Sequence, residues 1–191
     1  KDGILGARHE NEIGGTTDVA SHAEFADRRT TKAIDGREMT GWFTEDFTLA
    51  ELRTLRVRER LPDLRPANKR FDGLYPIPTF EEILQLVRAK EAEAGRRIGL
   101  YPETKHPSYF AGIGLPHQAP LLALLDRHGY ATEADPVFIQ SFEVGNLKAL
   151  RAVSRLRLIQ LVDAKGGPGD VPGTTYAGML SADGKSIDGA W

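Results

Sequence analysis

The stretch Ile98-Gly99-Leu100-Tyr101-Pro102-Glu103-Thr104-Lys105 opens the part of the sequence that decides the fold. It predicts a strand, and further strands are predicted at residues 137–142 and 156–162. Leucine-rich or amphipathic segments between them predict helices at residues 120–127 and 144–154. Strands that alternate with helices run parallel, and apolar runs such as that at 137–139 are typical of strands covered on both faces. The sequence therefore predicts an α/β fold.

Two observations favour a barrel over an open sheet. No glycine-rich dinucleotide-binding fingerprint follows any predicted strand, and polar residues gather at the carboxyl ends of the strands, where a TIM (β/α)8 barrel carries its chemistry. A complete barrel takes about 250 residues, whereas this chain has 191. We therefore expect residues 1–191 to form a single, incomplete barrel domain with roughly three to four strands, lacking segments at both ends.

The N-terminal half contains one predicted strand, a long loop and two helices. The apolar run at residues 4–8 predicts a strand, and the polar residues 10–47 predict a long active-site loop without regular structure. Helices are predicted to begin at Thr48 and Thr79, because each threonine starts a Thr-x-x-Glu capping box, and Gly95 is expected to end the second helix. The segments predicted to be irregular are the connection 60–78 and the tail 165–191.

Composition and charge narrow the class of partner. The formal net charge is −2 and no long basic run occurs, so the sequence offers no electrostatic attraction for nucleic acid or for an anionic membrane surface. No stretch reaches the ~20 apolar residues of a membrane-spanning helix, so no integral membrane segment is expected. The absence of cysteine excludes disulfides and thiol chemistry. A small-molecule substrate is the partner class that fits best.

Three side chains at strand ends could carry chemistry. Because side chains alternate along a strand, Glu103 and Lys105 are expected on one face, where the carboxylate could bind a hard divalent cation and the ammonium a phosphate oxygen. His9 follows the first apolar run and could donate a proton to a leaving alkoxide. Each pattern has a structural alternative, an internal Glu103–Lys105 ion pair and a structural, hydrogen-bonding His9.

Five ordered motifs resemble the glycerophosphodiester phosphodiesterase family and cover most of residues 1–162. The stretch Ala7-Arg8-His9-Glu10 resembles the segment with the family's second catalytic histidine, and Glu103-Thr104-Lys105 resembles its third metal-ligand strand. The other matches are Arg29-Thr30-Thr31, Thr44-Glu45-Asp46-Phe47-Thr48-Leu49-Ala50-Glu51-Leu52 and Pro78-Thr79-Phe80-Glu81-Glu82. The resemblance implies a partial TIM barrel of the PLC-like phosphodiesterase type.

The resemblance also implies a reaction and its residues. The reaction is metal-dependent hydrolysis of a glycerophosphodiester to an alcohol and glycerol 3-phosphate, with Ca²⁺ or Mg²⁺ polarising the phosphate oxygens. His9 is then the general acid that protonates the leaving oxygen. Glu103 is a metal ligand, and Lys105 neutralises charge on the phosphoryl oxygens.

Supporting roles and a localisation follow from the same resemblance. Glu10 orients His9 or lies near the metal, and Arg8 supports the site. Phe142 is expected to line the glycerol side of the pocket, with ordinary barrel packing as its alternative. The long loop is similar to that of the periplasmic or secreted branch of the family, which sets the expected localisation.

The family's pattern contains two further motifs, a His-Arg pair and a Glu-x-Asp metal pair, which would precede Lys1. This chain alone is therefore expected to be inactive, because one carboxylate is too few for a cation that takes roughly six oxygen ligands. A non-catalytic binding protein that descends from the same barrel is the alternative function, and a phospholipase D-like enzyme is a third, which the long loop disfavours. The histidines expected to be exposed or supporting are His22, His106, His117 and His128.

Overall fold

The computed structural model describes residues 1–161 together with 177–180 and 187–190. Contacts divide the chain into two units, residues 1–160 and residues 161–191. The first unit combines helices with short sheets, which confirms the α/β class. The described residues do not close into a barrel.

Six strands and five α-helices make up the regular structure of the described residues. The strands are β1 (Thr30–Ile34), β2 (Arg37–Gly41), β3 (Phe138–Ser141), β4 (Arg157–Gln160), β5 (Ala177–Leu180) and β6 (Ile187–Ala190). The helices are α1 (Leu49–Leu52), α2 (Phe80–Ala94), α3 (Pro107–Gly112), α4 (Gln118–Arg127) and α5 (Val144–Val153). Short 3-10 helices span Val19–Ser21, Ala23–Arg28, Thr44–Asp46 and Pro66–Phe71.

The predicted β-α-β unit in the C-terminal half is confirmed. β3 and β4 pair in parallel, with Ile139 opposite Leu158, and α5 connects them. The core formed here also takes side chains from α2 and α4. Its fully buried members are Leu84, Leu125, Val137, Ile139 and Leu150. Apolar positions on both strands and helices thus bury against one another, as the sequence pattern indicates.

The strand predicted at residues 98–105 is interrupted. Residues 100 and 103 form parallel bridges to β3 and its preceding residue Val137. The backbone N–H of Leu100 donates to the carbonyl of Pro136 at 2.8 Å, and that of Thr104 donates to Gln140 at 2.9 Å. Pro102 has no N–H, so the ladder bond that this position would donate is missing. The segment therefore pairs with β3 as expected without forming a continuous strand.

The prediction of a strand at residues 4–8 is wrong. One antiparallel bridge joins Gly6 to Thr79, supported by hydrogen bonds from Ala7 N–H to Pro78 and from Phe80 N–H to Leu5. The side chain of Ile4 is 55 % exposed. A short apolar run predicts burial, but in the described part of the chain this run has only the start of α2 to pair with.

Residues 10–47, predicted to lack regular structure, contain a β-hairpin and provide four of the six buried residues of a second core. β1 and β2 pair antiparallel through a turn at Asp35 and Gly36, whose φ angles are 49° and 76°. Two positive φ angles are the backbone of a two-residue hairpin turn that favours Asp-Gly. The buried residues of this core are Ile13, Val19, Phe25, Phe47, Leu55 and Ile77. The prediction failed because these apolar residues follow neither strand nor helix periodicity.

Both predicted capping boxes are confirmed. The Thr48 side chain accepts from Glu51 N–H and the Thr79 side chain from Glu82 N–H, and each glutamate accepts in return from the threonine N–H. α1 is only four residues long, whereas α2 continues to Gly95, which has the left-handed conformation expected of a helix end. The Arg53 guanidinium, followed by the Thr79 N–H, lowers the pKa of Glu82 to about 2.

Replacing Thr79 with alanine is expected to lower the free energy of unfolding by about 1 kcal/mol, because the first turn of α2 loses its side-chain acceptor. Urea denaturation of the chain measures this change. Thr79→Ser keeps the hydroxyl and is the matched control, so it should retain most of the stability. Equal losses in the two variants would mean that the methyl group, rather than the cap, matters at this position.

The remaining elements refine the predictions. α4 begins at Gln118, two residues before the prediction, and α3 was not predicted. The connection 60–78 has no α-helix, as expected, and holds the 3-10 helix Pro66–Phe71. The tail 165–191 was predicted to be irregular. It includes the antiparallel pair β5–β6, since two short strands need only local hydrogen bonds to pair. Residues 162–176, 181–186 and 191 lie outside the described residues. None of the described helices is long and apolar enough to cross a membrane.

Candidate active site

A cavity of ≈ 680 Å³ brings most of the predicted site residues together. Residues 1–11 form one part of its lining, and residues 100–105 form another. His9 and Glu10 therefore share this space with Glu103 and Lys105, although more than ninety positions separate the two pairs along the chain. The cavity volume is in the range typical of small-molecule sites.

His9 is exposed and paired with its neighbour. Its Nδ1 lies 2.5 Å from Glu10 Oε1. A carboxylate can only accept, so Nδ1 carries the hydrogen in this pair and Nε2 is the ring nitrogen left to face a ligand. Glu10 is held in turn by Arg60, whose Nη1 lies 3.7 Å from Glu10 Oε1. The contact with Glu10 holds the ring so that Nε2 can face a ligand.

Glu103 and Lys105 lie on the same side of their segment. The side chains of Leu100 and Thr104 are buried, whereas that of Tyr101 is 54 % exposed, so the expected alternation of faces is present. Lys105 Nζ lies 3.5 Å from Glu103 Oε1. This ion pair is the structural alternative considered for the two residues. Because it lines the cavity, the pair is compatible with either role.

The family resemblance implies a divalent metal ion, for which Glu103 is the expected ligand in this chain. Glu103 Oε1 is buried, has no hydrogen-bond partner among the described residues and lies 3.5 Å from the Lys105 ammonium, so a metal ion bound to this oxygen would lie next to that ammonium. Within residues 1–161, no group of three His, Asp or Glu side chains converges on one point. A hard divalent cation takes roughly six oxygen ligands. Glu103 alone therefore does not make a metal site.

Phe142 does not line the cavity. It follows β3 and is 46 % exposed. The Lys105 ammonium lies 5.6 Å from the centroid of its ring, a distance at which a cation is attracted to an aromatic face. The structure thus places Phe142 beside Lys105, where it can restrict the position of the ammonium group.

The Arg8 side chain is partly buried next to His9. Its guanidinium donates to Thr16 Oγ1 and, through Nε, to the Glu10 carbonyl at 3.3 Å. Burial lowers the pKa of Arg8, with Glu12 and Glu10 acting in the opposite direction. These bonds tie the residues around His9 to the start of the long loop, which fits the supporting role that we expected.

Sequence reasoning missed a second polar group, in which Asn11 and Glu45 line the cavity and Tyr109 is bonded to Glu45 from outside the lining. The Glu45 side chain is 2 % exposed. It accepts from both Asn11 Nδ2 and the Tyr109 hydroxyl, the latter at 2.7 Å. Burial, followed by the hydrogen bond to Glu45, raises the pKa of Tyr109, so the phenol stays protonated. The three residues lie on separate elements, and no spacing in the sequence joins them.

Two of the other histidines also occupy defined places. His117, at the start of α4, lines the cavity, and its ring centroid lies 4.5 Å from that of Phe110. Burial, with a smaller contribution from His106, lowers the pKa of His117. His106 Nδ1 lies 2.5 Å from Asp35 Oδ2 at the hairpin turn. Their supporting role stays a prediction.

Comparison with known proteins identifies the family. The sequence model of the Glycerophosphoryl diester phosphodiesterase family matches residues 1–176. The chain belongs to this family. Its relatives include a glycerophosphodiester phosphodiesterase of Arabidopsis thaliana, 34 % identical over 175 residues, which are 85 % of this chain and 45 % of that protein. Another, from Haemophilus influenzae, is 28 % identical over 179 residues, 85 % of this chain and 46 % of the relative.

A third relative is the glycerophosphodiester phosphodiesterase of Treponema pallidum, 30 % identical over 166 residues, 79 % of this chain and 42 % of that protein. The chain thus spans about half the length of the glycerophosphodiester phosphodiesterases that it matches. The family match includes both stretches that meet at the cavity, residues 1–11 and 100–105.

Proposed function

We propose that this chain carries the proton-donating and phosphate-binding part of a glycerophosphodiester phosphodiesterase active site. The observation that carries the proposal is the shared cavity, in which His9 and Glu10 meet Glu103 and Lys105. The family's relatives bear this activity in their names, and the two stretches that line the cavity are those whose motifs resemble the family's catalytic segments.

In the proposed hydrolysis, water adds to phosphorus while the bond from phosphorus to the alcohol oxygen breaks. His9 gives its proton to that oxygen, so that a neutral alcohol leaves, and the proton lost by the water restores His9. Lys105 binds a phosphoryl oxygen and offsets the charge that grows on it in the transition state. Glu10 orients His9 through the 2.5 Å contact at Nδ1. Glycerol 3-phosphate is the second product.

Finer features of the proposal rest on the same resemblance. The parallel segments, with Glu103 and Lys105 towards a carboxyl end, support a partial TIM barrel. A divalent cation, Ca²⁺ or Mg²⁺, belongs to the proposed reaction, and Glu103 would be one of the residues that hold it, where it would polarise the phosphate oxygens. Phe142 limits the position of the Lys105 ammonium without lining the cavity. The long loop supports a periplasmic or secreted location.

Hydrolysis of glycerophosphocholine tests the proposal. The product of the complete reading frame that contains the codons for this chain is expected to release glycerol 3-phosphate, and a chelator should abolish the release until Ca²⁺ or Mg²⁺ is restored. The 191-residue chain assayed alone is expected to release none, because Glu103 is the one carboxylate of the proposed metal set that its described residues provide.

A complete product that binds glycerophosphocholine without hydrolysing it would instead support the alternative, a non-catalytic binding protein built on the same barrel. Binding is measured by calorimetry with each metal present. Hydrolysis by the 191-residue chain alone would contradict the assignment of too few metal ligands to this part of the sequence.

A further inference from the structure

One residue of the cavity lining, Asn11, has an uncharged, buried acceptor atom that the proposed reaction does not use. Asn11 is 6 % exposed and lines the cavity. Its Oδ1 is buried and has no hydrogen-bond partner within the described residues. An unpaired buried acceptor is energetically unfavourable, so a position of this kind is typically completed by a donor from water or a ligand.

The orientation of the Asn11 amide is fixed by Glu45. Nδ2 donates to Glu45 Oε1 at 3.2 Å and to Oε2 at 3.3 Å. Reversing the amide would set Oδ1 against the carboxylate oxygens, which repel an acceptor. Oδ1 therefore faces away from Glu45, and the donor it lacks has to come from another direction.

Glu45 is itself fully engaged and acts as a positioning residue. Lys32 Nζ lies 3.1 Å from its Oε1, the Tyr109 hydroxyl donates to the same oxygen, and the Thr44 hydroxyl donates to Oε2 at 3.3 Å. These bonds come from the long loop and from α3. They hold the carboxylate, and through it the Asn11 amide, in a single arrangement.

The charge around Asn11 selects the class of ligand group. Two carboxylates, Glu45 and Asp46, face the single positive charge of Lys32, whose Nζ lies 2.7 Å from Asp46 Oδ1. The local charge of these three residues is therefore negative. A phosphate, which only accepts hydrogen bonds and carries negative charge, is disfavoured here. A neutral hydroxyl suits both the acceptor and the local charge. Lys105 provides the cationic counterpart in the same cavity.

From this geometry we infer that Asn11 is a specificity-determining residue that accepts a hydrogen bond from a glycerol hydroxyl of the substrate. The inference rests on the proposed function. While the phosphoryl group is bound near Lys105, the glycerol moiety extends to Asn11. A phosphodiester with a simple alkyl group in place of glycerol leaves Oδ1 without a donor and is rejected.

The test compares glycerophosphocholine with its two analogues that each lack one glycerol hydroxyl, using the complete reading-frame product. The wild-type protein should have a kcat/KM at least about 10-fold lower for one of the two analogues. In Asn11→Ala and Asn11→Ser, the ratio of kcat/KM for glycerophosphocholine to kcat/KM for that analogue should fall several-fold towards one. The reason is that glycerophosphocholine loses its contact with Asn11, whereas the analogue that lacks the contacting hydroxyl never made it.

Several outcomes would overturn the inference. The first is equal kcat/KM of the wild-type protein for glycerophosphocholine and both analogues, a result that needs no variant to be folded. The variants could lower kcat/KM equally for all three, as a purely structural residue would. They could alter only the preference between ethanolamine and choline leaving groups, which would assign Asn11 to the alcohol side. If the wild-type protein hydrolyses no glycerophosphodiester, the proposed function fails and this inference fails with it.

Discussion

Replacing His9 with alanine in the complete reading-frame product is expected to slow glycerophosphocholine hydrolysis by about 10²–10⁴-fold. Choline is a poor leaving group, so its oxygen needs a proton as the bond to phosphorus breaks. His9 is exposed to the cavity and paired with Glu10, and its loss should cost little stability. Steady-state kinetics and thermal unfolding of the variant measure the two effects separately.

His22 provides a matched control for His9. It lies in the long loop and, like His9, pairs with a carboxylate, since its Nδ1 lies 3.0 Å from Glu24 Oε1. It does not line the cavity. His22→Ala should therefore retain wild-type kcat/KM. Equal losses in both histidine variants would mean that pairing within the loop, rather than proton donation by His9, supports activity.

Replacing Lys105 with alanine is expected to lower kcat by about 10²–10³-fold. The ammonium acts on charge that develops in the transition state, so kcat should fall by a larger factor than KM rises. Lys105→Arg keeps the charge and should recover part of the loss. Lys148, an exposed residue on α5, is the control whose replacement by alanine should leave both constants unchanged.

The structural alternative for Lys105 makes a different prediction. If its pairing with Glu103 at 3.5 Å serves only the fold, Lys105→Ala should lower the melting temperature while kcat per folded molecule stays at the wild-type value. A double variant, Glu103→Gln with Lys105→Met, would then restore stability. Such a result would remove Lys105 from the proposed site.

The parts of the fold that follow from local chemistry were predictable from the sequence. The capping boxes at Thr48 and Thr79 and the glycine after α2 act within one helical turn, so their residue types are sufficient to place the helix ends. The same is true of the β3-α5-β4 unit, whose apolar runs are short and well separated. The dipeptide Asp35-Gly36 is typical of a two-residue hairpin turn. The hairpin was not predicted because the sequence around this dipeptide is polar.

Long-range contacts explain most of what was not predicted. Asn11 and Glu45 are separated by 34 positions, and Tyr109 by a further 64, so nothing in their spacing indicates a shared site. The second core arises in the same way, because its apolar residues are scattered between Ile13 and Ile77. Pro102 is an intermediate case, because its missing N–H is evident in the sequence but its effect depends on pairing with β3.

The placement of His9 and Glu103 in one cavity was predicted by family resemblance and not by pattern alone. His9 follows a run that is not a strand, and its position depends on the bridge between Gly6 and Thr79. Its assignment as the proton donor therefore remains a prediction of chemistry that only a reaction can test.

Dependence on the leaving group is the most direct test of that assignment. The His9→Ala variant should be compared on glycerophosphocholine and on a glycerophosphodiester of p-nitrophenol, whose oxygen leaves as a stable anion without a proton. The proposal predicts a loss of about 10²–10⁴-fold on the choline ester and little loss on the nitrophenyl ester. Equal losses on the two substrates would contradict proton donation by His9 and, with it, the central claim about this site.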